Sequence, residues 1–148
     1  MLNQPRAAVH AARGEGELRV VILGCGRVGA RLATRLDAEG HEVAIIDRNQ
    51  DSFTRLGADY SGSMVLGTGI DEDVLRKAGI ERADAFIAVT NGDNTNAMAA
   101  QIAKQVFRVP RVVARLYDPI RDETYRTLGL ETVSPTLIGV QTIMEMIK

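Results

Sequence analysis

The run Gly24-Cys25-Gly26-Arg27-Val28-Gly29 constrains this chain more than any other feature, because of what stands on either side of it. Before it, Leu18-Arg19-Val20-Val21-Ile22-Leu23 is short, apolar and β-branched, the pattern of a buried strand. After it, Val28, Leu32 and Leu36 recur at one-turn spacing. That predicts a helix over about Arg27 to Glu39 with those three on one face. Glycines at G-x-G-x-x-G spacing carry little weight alone, but between a strand and a helix each has a task. The first permits a tight turn, the second lets backbone approach a pyrophosphate, and the third allows close helix–strand packing. Unpaired amides at the helix start then face the anion.

The alternation continues along the chain. Val43 to Asp47 reads as a second strand and Asp51 to Leu56 as a short helix ending near Gly57. Ser63 to Leu66 is a third strand, followed by a helix that Asp71-Glu72-Asp73 opens, where the helix dipole favours acid, and Gly79 closes. Ala85 to Val89 is a fourth strand, Asn94 to Phe107 a long helix, and Arg111 to Leu116 a fifth strand. Asp118-Pro119 and Ser134-Pro135 each pair a capping residue with proline at the first helical position. Between those helices, Leu130 to Val133 leaves room for a sixth strand. The expected class is therefore α/β: a doubly wound Rossmann fold, with a six-stranded parallel sheet and helices on both faces. Residues 1–17, rich in Ala, Arg and Gly without periodicity, read as a flexible arm. Residues 18–134 form the nucleotide-binding domain, and 135–148 a C-terminal helix expected to serve as a subunit interface.

Composition narrows the partners. The chain has 148 residues, enough for one domain with a buried core. A net charge of −1 with no dense Lys/Arg block argues against nucleic acid, which needs a clustered basic face. No apolar run approaches the roughly 18–20 residues needed to span a bilayer, so direct membrane insertion is not expected. The single cysteine, Cys25, rules out an intrachain disulfide. His10 and His41 stand apart from any acid or thiol cluster, so no metal site is expected.

Asp47 closes the second strand about 20 residues beyond the turn, where a carboxylate accepts the ribose hydroxyls and repels a 2′-phosphate. NAD(H), ATP, ADP and AMP satisfy that reading, and NADP(H) is disfavoured. Arg48 beside it reads as a solvated loop charge that could also pair with phosphate. Arg27 could reach the ligand, or a neighbouring subunit's ligand, or simply be exposed in the first turn. Cys25 is assigned no catalytic role, and Val28 and Gly29 complete the turn. Gly67 and Thr68 after strand three, and Thr90, Asn91 and Asp93 after strand four, fall at the carboxyl ends of strands. They fit ligand contacts there, or ordinary turn and cap chemistry. In the last helix Leu137, Val140, Met144 and Ile147 form an apolar stripe with Ile138 and Ile143 beside it, suited to its own sheet or to another subunit.

Together these segments resemble the N-terminal domain of the regulators of potassium conductance, the cytosolic subunits of Trk- and Ktr-type potassium uptake systems (the TrkA-N family). The carrying residues are Val21 to Gly29, Ile46-Asp47, Ala88-Val89-Thr90-Asn91 with Asp93, Ala114 to Pro119, and Ser134-Pro135. The resemblance implies a nucleotide site for NAD(H) or ATP/ADP, and dimers building rings on a membrane-embedded potassium-transporting subunit. It also implies a cytoplasmic location, peripheral to the membrane through that partner. Arg27 matches an arginine that, in Ktr-like members, reaches phosphate across a subunit boundary, and the final helix matches one that crosses between subunits. Two departures stand out. Where the family often has Gly-Asp-x-Thr-Asp, this chain reads Gly67-Thr68-Gly69-Ile70-Asp71, with Thr68 in place of the acid on the adenine side. The sequence also ends after the last helix, before the family's usual C-terminal ligand-sensing domain, as in a short member or a truncated one.

Three functions remain open at this level. The first is a nucleotide-sensing regulatory subunit that gates potassium uptake through oligomer rearrangement, without catalysis. The second is a fragment of an NAD-dependent oxidoreductase, against which stands the lack of a substrate domain and of an acid–base pair. The third is a stand-alone module for AMP, another adenine nucleotide or a sugar nucleotide.

Overall fold

The computed structural model describes residues 16–148. The expected arm, apart from its last two residues, and His10 lie outside the described residues. Strands β1 (Arg19–Leu23), β2 (Glu42–Asp47), β3 (Ser63–Leu66), β4 (Ala85–Ala88), β5 (Arg111–Arg115) and β6 (Glu131–Val133) form one sheet in the order β3-β2-β1-β4-β5-β6. Every pairing is parallel. Parallel neighbours need crossovers, and helices supply them: α1 (Arg27–Ala38), α2 (Glu72–Lys77), α3 (Asp93–Gln105) and α4 (Pro119–Thr127), with 3-10 helices at Gln50–Leu56 and Ile80–Arg82. Helix α5 (Pro135–Ile147) follows β6.

The strands are apolar on both faces because both are covered. Val20, Ile22, Val43 and Ile45 pack with Ala30 and Ala33 of α1 and with Phe53 and Leu56 of the first 3-10 helix. The alternate residues Val21, Leu23, Ile46 and Phe86 meet Leu75, Ile80, Ala99, Ala100 and Ala103 on the other side. Leu75, Ile80 and Phe86 have no exposure, and each such side chain contributes about 1.5–3 kcal/mol relative to leaving it in water.

Helix α1 turns a different face inward from the one its large residues mark. Gly29, Ala30 and Ala33 are its buried residues, Leu32 and Leu36 pack only at the margin, and Val28 is 48% exposed. Small residues bring the helix backbone close to β1, so the bulky stripe is displaced to the edge. Asp71 takes the capping role expected of its cluster, accepting the Asp73 amide at 2.9 Å. In α5, Ser134 caps the start, yet no residue of the helix is buried. Its apolar stripe therefore does not pack on its own sheet.

Candidate nucleotide-binding site

The sheet order reverses direction beside β1: the chain steps from β1 outward to β2 and β3, then returns to β4 on the opposite side. In open α/β sheets the ligand crevice lies at the carboxyl ends of the strands at this switch point. A cleft of about 480 Å³ opens there, within the range of small-molecule sites.

Its floor is the glycine turn. Gly24 has φ +108, and a Cβ on it would stand 2.9 Å from Thr90 N and from the Val89 carbonyl. A Cβ on Gly29 would stand 1.7 Å from the Gly24 oxygen, so the third glycine is what lets α1 seat on the turn. Gly26 differs. It occupies the N-cap of α1 with no side-chain cap, and a Cβ there would meet nothing within 4 Å. The first-turn amides of α1 thus lack a side-chain partner beside an open cleft, the arrangement that binds anions.

Asp47, at the tip of β2, braces this turn. Its Oδ2 accepts the Cys25 amide and its Oδ1 the Asn49 amide, both at 2.8 Å. Each carboxylate oxygen keeps a lone pair for a ribose hydroxyl. Cys25 points inward: its Sγ–H donates to the Ser52 carbonyl at 3.3 Å, while Arg55 Nη1 donates to the Cys25 carbonyl at 3.3 Å. Burial first, and the Asp47 charge second, push the thiol pKa up to about 11 against the opposing pull of Arg55. Cys25 is accordingly a protonated packing residue.

Of the sequence-derived candidates, Gly24, Cys25, Gly26, Asp47, Arg48, Gly67, Thr68, Thr90 and Asn91 line the cleft. Gly29 lies beneath the turn, and Arg27 and Val28 are exposed on α1 outside the lining. Asp93 is also outside it, and its two carboxylate oxygens accept the amides of Tyr117 and Asp118 at 2.8 and 3.0 Å. Sequence reasoning missed Asn49, Ser52 and Arg55 on the segment after β2, Ile70 after β3, and Thr95 at the start of α3. Arg48 and Arg55 outnumber the single carboxylate of Asp47 in the lining, a balance that suits an anionic ligand. Among the described residues there is no cluster of metal-ligating side chains, and no helix is long and apolar enough to cross a membrane.

The model of the TrkA-N domain matches residues 20–135. The chain belongs to the TrkA-N family. A Trk system potassium uptake protein TrkA from Streptomyces coelicolor is 53% identical over 117 residues, covering 79% of this chain and 52% of that protein. A homolog from Methanothermobacter thermautotrophicus is 31% identical over 77% of this chain and 52% of its own length. This TrkA-N chain thus spans about half the length of those relatives. Among solved structures, GsuK bound to ADP is 27% identical with a TM-score of 0.75, covering 97% of this chain and 37% of that one. The TrkA-N domain of the inner membrane protein ybaL from Escherichia coli, at 18% identity, shares the fold with a TM-score of 0.79 over 91% of this chain and all of that one.

Proposed function

We propose that this TrkA-N domain is the nucleotide-sensing part of a regulatory subunit of a potassium uptake system, and that it performs no catalysis. The observation that carries the reading is the pairing of the Asp47 carboxylate with an open helix start at Gly26 across one cleft. The ligand is an adenine nucleotide with a free ribose: NAD(H), ATP or ADP, with AMP also fitting. Its phosphates sit on the first-turn amides of α1, and Arg48 and Arg55 add cationic charge at the rim. The base lies toward Gly67, Thr68 and Ile70, where Thr68 offers a hydroxyl in place of a carboxylate. The relatives support the potassium role by their names, and the GsuK likeness supports the nucleotide.

The subunit works as a homo-oligomer, a dimer or a larger ring, at the cytoplasmic face of a membrane-embedded potassium-transporting partner. Exposed Leu137, Ile138, Val140, Ile143 and Met144 on α5 supply the contact between copies. Arg27, exposed beside the turn, meets a nucleotide held by a neighbouring copy, a role its match to the Ktr-like arginine supports. Gating requires that the nucleotide bind two arrangements of the oligomer with different affinity. Co-purification of the longer subunit with a potassium-transporting membrane protein, strengthened or weakened by nucleotide, tests the assignment. Nucleotide-dependent hydride transfer to a carbonyl compound would overturn it in favour of an oxidoreductase.

A further inference from the structure

Asn96 is fully buried on a face of α3 otherwise made of alanines. An amide side chain has two donors and two lone pairs, and here each is used. Its Oδ1 accepts from the Thr90 amide at 2.9 Å and from the Thr90 hydroxyl at 2.6 Å. Its Nδ2 donates to the Thr90 carbonyl at 3.0 Å and to the Arg115 carbonyl at 2.8 Å. One side chain thus grips Thr90 by its N–H, its C=O and its Oγ1. Arg115, also buried, adds Nη2 to the carbonyls of Val89 and Thr90 at 2.9 and 3.1 Å.

The grip extends away from the cleft. The Arg115 guanidinium lies 4.8 Å from the centre of the Tyr117 ring. The Tyr117 carbonyl accepts the hydroxyl of Thr136, in the first turn of α5, at 2.9 Å, and its amide goes to Asp93. We propose that Asn96 is a positioning residue: it fixes Thr90 as the β4 wall of the nucleotide pocket and ties that wall, through Arg115 and Tyr117, to the root of α5. The ligand half rests on the nucleotide reading above, while the tie rests on these hydrogen bonds and the Arg115–Tyr117 ring contact. Moving Thr90 would strand a buried amide whose partners are all protein groups, so wall and root shift together. It would also disturb the phosphate turn, since Thr90 N and Val89 lie against Gly24.

Asn96→Asp in the 148-residue chain keeps the two accepting contacts and sets an oxygen against the carbonyls of Thr90 and Arg115. ADP affinity by calorimetry should fall roughly tenfold, because the two donations that hold the Thr90 wall in place are lost. Amide exchange should quicken together at Thr90–Gly92 and at Tyr117–Asp118. Unchanged affinity with a lowered melting temperature would make Asn96 a packing residue and overturn the proposal. Faster exchange at Thr90 alone would overturn the tie. A second measurement needs no variant: ADP added to the unaltered chain should slow exchange at Tyr117 and Asp118, and no change there contradicts the tie. If the unaltered chain binds neither ADP nor NADH, the nucleotide reading fails instead, and exchange in the ligand-free proteins still decides the tie.

Discussion

The Asp47 carboxylate accepts the backbone amide of Cys25 at 2.8 Å, so the residue assigned to the ribose also holds the phosphate turn in place. Asp47→Ala should weaken ADP or NADH binding by about 1.5–3 kcal/mol, the range for hydrogen bonds to a charged group. Amide exchange at Cys25 should also quicken before any ligand is added. Calorimetry and exchange together check this, and unchanged affinity would remove Asp47 from the site.

The glycines of the turn should separate packing from binding. Gly29→Ala places a methyl against the Gly24 carbonyl and should destabilise the fold by about 1–3 kcal/mol or more. Gly26→Ala meets open space at φ −89, so the melting temperature should change little while nucleotide affinity drops. Thermal melts beside titrations of the two variants test the contrast.

Cys25 predicts an alkaline sensitivity. Its folded pKa of about 11 stands above the ordinary 9.0 because burial disfavours the thiolate. A raised folded value contributes stability that is complete below the unfolded pKa and is lost as pH rises through the folded one. Stability should therefore decline between about pH 9 and pH 11, as the unfolded chain ionises more readily. Tyr60, whose hydroxyl donates to the Ser63 carbonyl at 2.9 Å, is raised in the same direction by burial and adds to the decline from its ordinary 10.0 upward, so from within that window. Denaturant melts of Cys25→Ala against the parent should show a shallower fall with pH.

Helix α5 should govern self-association. Ile143 is 59% exposed and Met144 41% exposed, and covering what remains is worth roughly half of the about 1.5–3 kcal/mol that full burial gives. Ile143→Asp should shift the chain toward monomer in sedimentation velocity and lower the melting temperature only by what association adds, because the helix adds no buried residue to the single-chain core.

The strand–turn–helix punctuation was legible because its signals are local: β-branched runs, glycines at fixed offsets and proline after a capping residue. The same held for the class of sheet, since alternating elements leave few topologies. The inner face of α1 was not legible in this way. Val28, Leu32 and Leu36 satisfy a hydrophobic-face rule, whereas the buried Gly29, Ala30 and Ala33 answer to backbone proximity, which that rule does not weigh. In the site, residues next to the glycine turn and the strand tips were foreseeable. Arg55 and Ser52 were not, because a seven-residue 3-10 helix gives no sequence clue to which side chains face the cleft. Asn96 did leave a signal: an amide opening the run Ala97-Met98-Ala99-Ala100, a polar residue on a face of small ones. Arg115 at the end of a β-branched strand left a similar one.

The most direct measurement is calorimetric titration of nucleotide-stripped protein with NADH, NAD, ATP, ADP, AMP and NADPH. The account predicts saturable one-site binding of at least one nucleotide with a free ribose, and NADPH weaker by about tenfold or more because Asp47 repels its 2′-phosphate. Equal binding of NADPH, or no binding by any of the six, would contradict it.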